Sequence, residues 1–193
     1  MSVLLIAGSP SDRSRSAALL DEVSHRLRGR VEVDRLHIRD LSPQALLLGD
    51  AEHRSVAAAS EEVQRARAVV IATPVYKAAY SGVLKVFLDL LPQTALRHKV
   101  VLPIATGGSP NHMLALDYAL RPVLQSLAAR HILPGVYATD SQVTLFPEGS
   151  RHLSVEIGER LDDAVATLLH EIQRTPPATA FEPVPFSQVR CSV

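Results

Sequence analysis

Three short stretches of the chain are apolar at every position, and they set the expected fold. They are residues 3–7, 68–72 and 100–105, each rich in β-branched side chains and each followed by glycine or threonine. A run that is apolar on both faces is typical of a strand buried between two layers of helices. Residues 31–38 and 132–138 are weaker strand candidates, so the pattern predicts a parallel sheet of five strands.

Between the strands, apolar residues recur at spacings of three and four, which is typical of amphipathic helices. The predicted helices span residues 16–28, 60–67, 81–91, 109 to about 130, and 152–174. Residues 41–55 show no clear period and are predicted to be a loop with a short turn. The alternation indicates an α/β three-layer sandwich over residues 1–174. Residues 175–193 are predicted to be an extended tail, because four of the 13 prolines fall there.

The composition excludes several classes of function. The 193 residues carry 20 basic and 20 acidic side chains, no tryptophan, four tyrosines and four phenylalanines. Such a chain lacks the basic surface and the stacking aromatics that nucleic acids need. No apolar run approaches the ~20 residues of a membrane span, and the one cysteine, Cys191, cannot form an internal disulfide. We therefore expect a cytoplasmic protein that binds neither nucleic acid nor membrane and holds no metal.

The loops after the strands are the candidate site, because ligands of parallel sheets bind beyond the carboxyl ends of the strands. The first such loop, residues 8–16, reads GSPSDRSRS and opens the first helix. Hydroxyl groups, guanidinium groups and the free N–H groups of a helix N-terminus together favour a phosphate. The loop lacks GxGxxG and the Gly-Lys-Ser/Thr of triphosphate sites. A terminal monophosphate is therefore the better fit, and a solvated helix cap is the alternative.

The loops after the third and fourth strands suit a flat aromatic ligand. Residues 73–82 carry two of the four tyrosines, and their backbone N–H groups could face ring oxygens and nitrogens. Residues 106–112 begin with Thr-Gly-Gly, and paired glycines let a backbone approach a planar ring closely. An ordinary exposed loop and a simple turn into a helix are the alternatives.

Four stretches resemble the NADPH-dependent FMN reductases of the flavodoxin-like superfamily, and more narrowly the reductases of two-component alkanesulfonate monooxygenase systems. They read AGSPSDRSRSAALL, ATPVYKAAYSGVLKVFLDLLP, VVLPIATGGSPNHMLALDYALRPVL and DSQV. The resemblance covers residues 3–143, about three quarters of the chain. It implies a flavodoxin-like fold with strand order 2-1-3-4-5 and FMN at the carboxyl edge of the sheet.

The resemblance also implies roles for individual residues. Those that would hold the FMN phosphate are Ser9, Ser14, Arg15 and Ser16. Those that would run beside the isoalloxazine ring and the ribityl chain are Pro74, Val75, Tyr76 and Lys77, and those that would border the other edge of the ring are Thr106, Gly107 and Gly108. The acidic Asp12 should face away from the phosphate.

A proline inside the fourth predicted helix predicts an irregularity there. Pro122 has no N–H to donate to the carbonyl of Tyr118, and its ring clashes with that carbonyl. The helix must therefore bend or form an extra-residue π-bulge around residues 118–122, and such bulges are frequent at functional sites. In the family that the chain resembles, the matching tyrosine lies in a π-helix at a tetramer interface near the flavin. Tyr118 is therefore expected to influence flavin release, and a packed tyrosine in a kinked core helix is the alternative.

The expected reaction is hydride transfer from NADPH to FMN, with the FMNH2 passed to a partner monooxygenase that desulfonates alkanesulfonates. The flavin carries the difficult chemistry, and the protein supplies binding and orientation. The resemblance further implies a homotetramer or homodimer. Three other functions stay open: an enzyme with tightly bound FMN that reduces quinones, azo dyes or metals, a flavin-binding assembly subunit, and a flavodoxin-like electron carrier. Electron carriers tend to be acidic, which a neutral chain does not favour.

Overall fold

The computed structural model describes residues 2–175, and they form a mainly parallel sheet between two layers of helices. The strands of this sheet are β1 (Ser2–Ala7), β2 (Glu32–His37), β3 (Ala68–Tyr76), β4 (Ala79–Tyr80), β5 (Val100–Gly107), β6 (His131–Ile132) and β7 (Val136–Thr139). Their order is β2-β1-β3-β5, and β6 and β7 follow one another along the outer edge of β5. The predicted order 2-1-3-4-5 is confirmed, with the fifth strand in two pieces.

Two of the six helices pack on one face of the sheet and four on the other. They are α1 (Arg15–Leu27), α2 (Pro43–Leu48), α3 (Arg54–Arg65), α4 (Gly82–Leu90), α5 (Arg121–Ser126) and α6 (Val155–Arg174). Because successive residues of a strand point to opposite faces, Val3 and Leu5 of β1 pack in the core under α1 and α6. Leu4 and Ile6 pack in the other core, under α2 to α5. The predicted three-layer α/β sandwich is confirmed.

The fifth strand is split because its neighbour β5 contains a proline. Pro103 has no N–H to offer across the ladder, and it lies between the two short pairings of β5 with β6 and with β7. The segment between β6 and β7 bulges there by one residue. It contains Gly135, where a Cβ would lie 2.8 Å from Cδ1 of Leu116. The predicted single strand over residues 132–138 is therefore wrong in its continuity.

The segment 41–55, predicted to be a loop, contains α2 and the start of α3. Ser42 caps α2 by accepting a hydrogen bond from the N–H of Ala45, Pro43 opens the helix, and Gly49 ends it with a φ of 71°. Serine before proline at the start and glycine at the end are helix signals in their own right. A six-residue helix is too short to show a hydrophobic period, which is why the pattern missed it.

The long helix predicted over residues 109–130 is broken into three pieces. Pro110–His112 form a 3-10 turn, Leu116–Leu120 form a π-helix, and α5 follows directly. The N–H of Arg121 bonds the carbonyl of Leu116, five residues back. The π-bulge expected beside Pro122 is thus present.

A β-hairpin precedes the last helix, where the sequence predicted helix from residue 152. Strands β8 (Val143–Leu145) and β9 (Arg151–Leu153) pair antiparallel, and α6 begins only after Ser154, which caps it. Arg151 binds Asp21 and Glu22 of α1, each at 3.0 Å, and so ties the hairpin to the first helix. Within residues 2–175, none of the helices combines the length and the apolar character needed to cross a bilayer. The predicted tail lies outside the described residues, except for Thr175.

Candidate functional site

A cleft of about 150 Å³ opens at the carboxyl ends of β1, β3, β5 and β7. Its lining comprises Ser9, Ser11, Arg13, Ser14, Arg15, Pro74, Val75, Tyr76, Thr106, Gly107, Gly108 and Asp140. Nine of the eleven residues predicted to bind FMN are in this set. The three loops chosen from the sequence therefore meet at one edge of the sheet.

The first loop presents hydrogen-bond donors and hydroxyl groups at the start of α1. Ser14 caps the helix, since its Oγ accepts a bond of 3.5 Å from the N–H of Ala17. The Oγ of Ser9 accepts a bond of 3.1 Å from the N–H of Ser11, which shapes the turn before the helix. The positive end of the helix dipole and its free N–H groups attract anions.

Ser81 joins the first loop to the second. It is buried, and its hydroxyl donates to the carbonyl of Gly8 while its Oγ accepts from the N–H of Leu84 at 3.3 Å, which caps α4. Its own N–H donates to Oγ1 of Thr73 at 3.0 Å. One side chain thus fixes the relative positions of two walls of the cleft.

The second loop, residues 73–82, contains a β-hairpin that the sequence analysis did not predict. Strand β3 continues through Tyr76 and pairs antiparallel with β4. Lys77 and Ala78 form the two-residue turn, with φ values of 50° and 62°. These left-handed conformations are uncommon for residues other than glycine, asparagine and aspartate. Tyr76 lines the cleft and is half-exposed, whereas Lys77 lies at the tip of the hairpin and does not line the cleft.

The third loop is supported from below by a tyrosine that the sequence analysis missed. The hydroxyl of Tyr137 donates to the carbonyl of Ser109 at 2.6 Å. A Cβ on Gly107 would lie only 2.5 Å from that hydroxyl oxygen, so a side chain cannot be added there without movement. Burial, and then the charge of Asp140, raise the pKa of Tyr137, which keeps its hydroxyl protonated as a donor.

Asp140 is a second residue that the sequence analysis missed. It follows β7 directly and lines the cleft, with a carboxylate oxygen 3.5 Å from Nη1 of Arg15. The Nε of Arg15 donates to the carbonyl of Val143 at 3.0 Å, so the segment after β7 holds this guanidinium. Asp140 lies just after the fifth strand, at the same edge of the sheet as the three loops, and this position is a signal that could have identified it.

Three predicted site residues lie outside the cleft lining. Ser16 is fully buried, with its Oγ 2.8 Å from that of Ser14. Lys77 occupies the hairpin tip, and Tyr118 lies in the π-helix with 80% of its surface exposed. Asp12 pairs with Arg39 and does not line the cleft, in agreement with the expectation that it faces away.

The sheet order and the position of the cleft define the class of the protein. A parallel sheet of order 2-1-3-4-5, with a cleft where the strand order reverses beside β1 and β3, is the arrangement of flavodoxin-like α/β proteins. This class binds its ligands at that point of the sheet.

Comparison with known proteins narrows the class to a family. The family model of the NADPH-dependent FMN reductases matches residues 1–144. The FMN reductase (NADPH) of Escherichia coli K12 is 45% identical over 175 residues, which are 90% of this chain and 91% of that protein. The FMN reductase (NADPH) of Pseudomonas putida KT2440 is 46% identical over 179 residues, 91% of this chain and 90% of that one.

A solved structure supports the same conclusion. The apo form of the NADH:FMN oxidoreductase EMOB superposes with a TM-score of 0.82 at 36% identity, covering 97% of this chain and 99% of that chain. The chain belongs to the NADPH-dependent FMN reductase family. It is an NAD(P)H-dependent FMN reductase with a flavodoxin-like fold.

Proposed function

We propose that this protein binds FMN as a substrate, reduces it with NADPH and releases FMNH2 to a partner monooxygenase that desulfonates alkanesulfonates. The shape and chemistry of the cleft carry the proposal. The choice of NADPH follows the two relatives at 45% and 46% identity, both named for that nucleotide. The choice of partner follows the resemblance of the three loop sequences.

The first loop fits the phosphate of FMN. Ser9, Ser14 and Arg15 line the cleft beside the N-terminus of α1, so hydroxyl groups, a guanidinium and free backbone N–H groups converge there. Ser16 would contribute its backbone N–H in the first helical turn, because its side chain is buried. This donor set suits a terminal phosphate and needs no metal ion.

The other two loops fit the ring. Pro74, Val75 and Tyr76 offer backbone groups along one wall, and Gly107 offers bare backbone opposite them. When the flavin is bound, its N5 accepts hydride from C4 of the nicotinamide, and a proton from solvent completes FMNH2. The protein's task is to hold two rings in contact, and such positioning lowers a barrier by several kcal/mol.

The small size of the cleft favours a flavin that binds weakly and exchanges with solution as a substrate. Its volume of about 150 Å³ is below the ~300–1,000 Å³ of pockets that enclose most of a drug-sized ligand. A molecule as large as FMN would therefore extend past the described walls, over the exposed ring of Tyr76. Partial enclosure leaves apolar ring surface in contact with water and lowers the affinity.

Tyr118 is proposed to act in flavin release and in assembly. The π-helix that carries it packs against β4, the strand that completes the second loop of the cleft. Met113, Leu114 and Tyr118 are 49%, 53% and 80% exposed, and an apolar surface of this kind is typical of an interface between protein chains. A homotetramer or homodimer formed through this surface would place a second chain against the π-helix that packs on β4.

The replacement Tyr118→Ala tests this role, with Tyr118→Phe as the matched control that keeps the ring. We expect the alanine variant to retain more flavin on purification and to turn over free FMN more slowly, while the phenylalanine variant behaves like the wild type. Light scattering should show an oligomer for the wild type. Unchanged flavin content and unchanged turnover in Tyr118→Ala would contradict the role in release, and a monomeric wild type would contradict the assembly.

The reaction itself is tested by following NADPH oxidation without oxygen on flavin-free protein while FMN is varied. Saturable dependence on FMN, with one FMNH2 formed per NADPH consumed, supports the proposal. Adding an FMNH2-dependent alkanesulfonate monooxygenase and its substrate under air should then release sulfite. A protein that stays yellow and oxidises NADPH only with a quinone or dye would instead be a reductase with bound flavin. No oxidation with NADPH or NADH would leave the electron carrier or the assembly subunit.

A further inference from the structure

A second cavity lies at the opposite edge of the sheet from the flavin cleft. Its volume is about 460 Å³, and the described residues that line it are Arg97, His98, Lys99, Arg130, His131 and Thr175. It lies at the amino ends of β5 and β6, whereas the cleft lies at the carboxyl ends of the strands. The two sites are therefore separate and share no residue.

This amino-edge cavity concentrates positive charge in a chain that has no net charge. The three residues Arg97, Lys99 and Arg130 carry full charges, and within residues 2–175 none of them has a carboxylate within 4.0 Å. Eight of the other fourteen arginines in residues 2–175 have a carboxylate within this distance. Unbalanced cations around one cavity attract an anion from solution.

Glu171, which contacts His131 of the cavity lining, is already engaged. Glu171 has its carboxylate 3.6 Å from Nε2 of His131, 3.1 Å from Nδ1 of His170 and 3.5 Å from Nη1 of Arg174. Glu171 therefore contacts His131 and residues of its own helix, and its carboxylate is more than 4.0 Å from the guanidinium groups of Arg97 and Arg130. One carboxylate cannot balance the three cations of the cavity.

Lys99 is the residue that most needs an anion. It is 91% buried, and its ammonium donates to the carbonyls of Gln64 at 2.8 Å and of Ala66 at 2.6 Å. An ammonium has three N–H donors, so one remains for a ligand. Burial, and then the charge of Arg67, lower the pKa of Lys99, as expected for a buried cation that lacks a charged partner.

We propose that the amino-edge cavity binds a tetrahedral oxyanion with two negative charges, either inorganic phosphate or the phosphate group of a small monoester. Arg97 and Arg130 line the cavity, and each guanidinium fork can bind two oxygens of a phosphate, while Lys99 adds a third cation to the lining. The volume of about 460 Å³ holds a phosphate with room for an attached organic group. The site requires no flavin and no pyridine nucleotide.

The test is calorimetric titration of the full-length, flavin-free protein with inorganic phosphate. Phosphate that binds in the flavin cleft does not depend on Arg97 or Arg130, so a variant of these two residues isolates the amino-edge cavity. We expect one phosphate per chain at this cavity, and we expect the double variant Arg97→Gln/Arg130→Gln to bind it at least tenfold more weakly. Both arginines are exposed, so the variant should fold and keep its FMN reductase activity.

The matched control is Arg28→Gln/Arg54→Gln, which removes the same charge from two exposed positions away from the cavity. Its phosphate affinity should stay within twofold of the wild type. An absence of phosphate binding that depends on Arg97 and Arg130, or equal weakening in both double variants, overturns the proposal. A parallel titration with glycerol 3-phosphate separates the two sources, since a site for monoesters binds it at least as well as inorganic phosphate and a site for the free ion rejects it.

Discussion

Adding one methyl group to Gly107 should disturb the flavin cleft mainly through Tyr137. In Gly107→Ala the new Cβ would lie 2.5 Å from the hydroxyl oxygen of Tyr137 and 3.3 Å from Cβ of Val75. The hydroxyl must move, and it cannot do so without straining or losing its 2.6 Å bond to the carbonyl of Ser109. Overpacking costs about 1–3 kcal/mol, and a lost hydrogen bond adds about 1 kcal/mol.

Removing the hydroxyl first should remove most of this cost. In Tyr137→Phe the nearest ring carbon would lie 3.5 Å from the new Cβ, which is ordinary contact. The contact with Val75 remains, and we expect it to cost less than about 1 kcal/mol. The two substitutions should therefore be coupled by about 1–3 kcal/mol, within the range measured for residues in contact.

The assay is urea unfolding of the four proteins of this double-mutant cycle, together with their dissociation constants for FMN. Gly108→Ala is the matched control, because its Cβ would meet nothing closer than an oxygen of Asp140 at 3.9 Å. We expect that control to lose less than about 0.5 kcal/mol. If Gly107→Ala costs the same with and without the tyrosine hydroxyl, the clash is not the reason that position 107 is glycine.

Two further predictions concern stability. Ala78→Gly should raise the free energy of unfolding by up to about 1 kcal/mol, because a φ of 62° strains alanine by roughly 1–2 kcal/mol. The greater conformational entropy of glycine in the unfolded chain offsets only part of this gain. Urea unfolding measures the difference. Burial opposes ionisation of Glu22, but hydrogen bonds from Arg26 and Arg151 outweigh it and lower its pKa below 4.5. The stabilisation by ionised Glu22 is present above pH 4.5 and is lost as the pH falls through the lowered pKa. Arg151→Gln should therefore destabilise the protein at pH 7 and much less in acid. Thermal unfolding at a series of pH values measures this.

The central sheet and the place of the cleft could be predicted because their signals are local and physical. Uninterrupted apolar runs identify buried parallel strands, and a parallel sheet brings the loops after those strands to one edge. An irregularity around residues 118–122, either a bend or a π-bulge, was also predicted, since Pro122 removes the N–H that would bond the carbonyl of Tyr118; the structure has the π-helix. In each case one residue type or one period leaves few alternatives for the backbone.

The elements that were missed depend on contacts distant in sequence or on strained local structure. The turn at Lys77 and Ala78 has φ values that hairpin turns normally have at asparagine and glycine. A lysine and an alanine at these positions therefore give no sequence signal for a hairpin. The support of Gly107 by Tyr137 joins two strands that are adjacent only in the folded sheet. Strand patterns identify Tyr137 as buried but do not show what its hydroxyl meets.

Asp140 places a negative charge in a cleft that is proposed to hold a phosphate, and this arrangement leads to a last prediction. Its carboxylate lies 3.5 Å from Nη1 of Arg15, and both side chains are almost half-exposed. In Asp140→Asn the repulsion of the phosphate disappears and the guanidinium is released toward it. Exposed charge pairs are worth up to about 1 kcal/mol, so the dissociation constant for FMN should fall by up to about fivefold, and the gain should shrink at high salt.

The matched control for this charge change is Asp12→Asn, which lies in the loop after β1, outside the cleft lining, and is paired with Arg39. Quenching of flavin fluorescence measures the affinity for FMN in both variants. We expect Asp12→Asn to bind FMN as the wild type does. If Asp140→Asn binds FMN no more tightly than this control, then Asp140 serves to hold Arg15 in its binding position. If it binds FMN more tightly, the carboxylate limits flavin retention, and an enzyme that must let its reduced flavin leave gains from keeping an acid where a phosphate is bound.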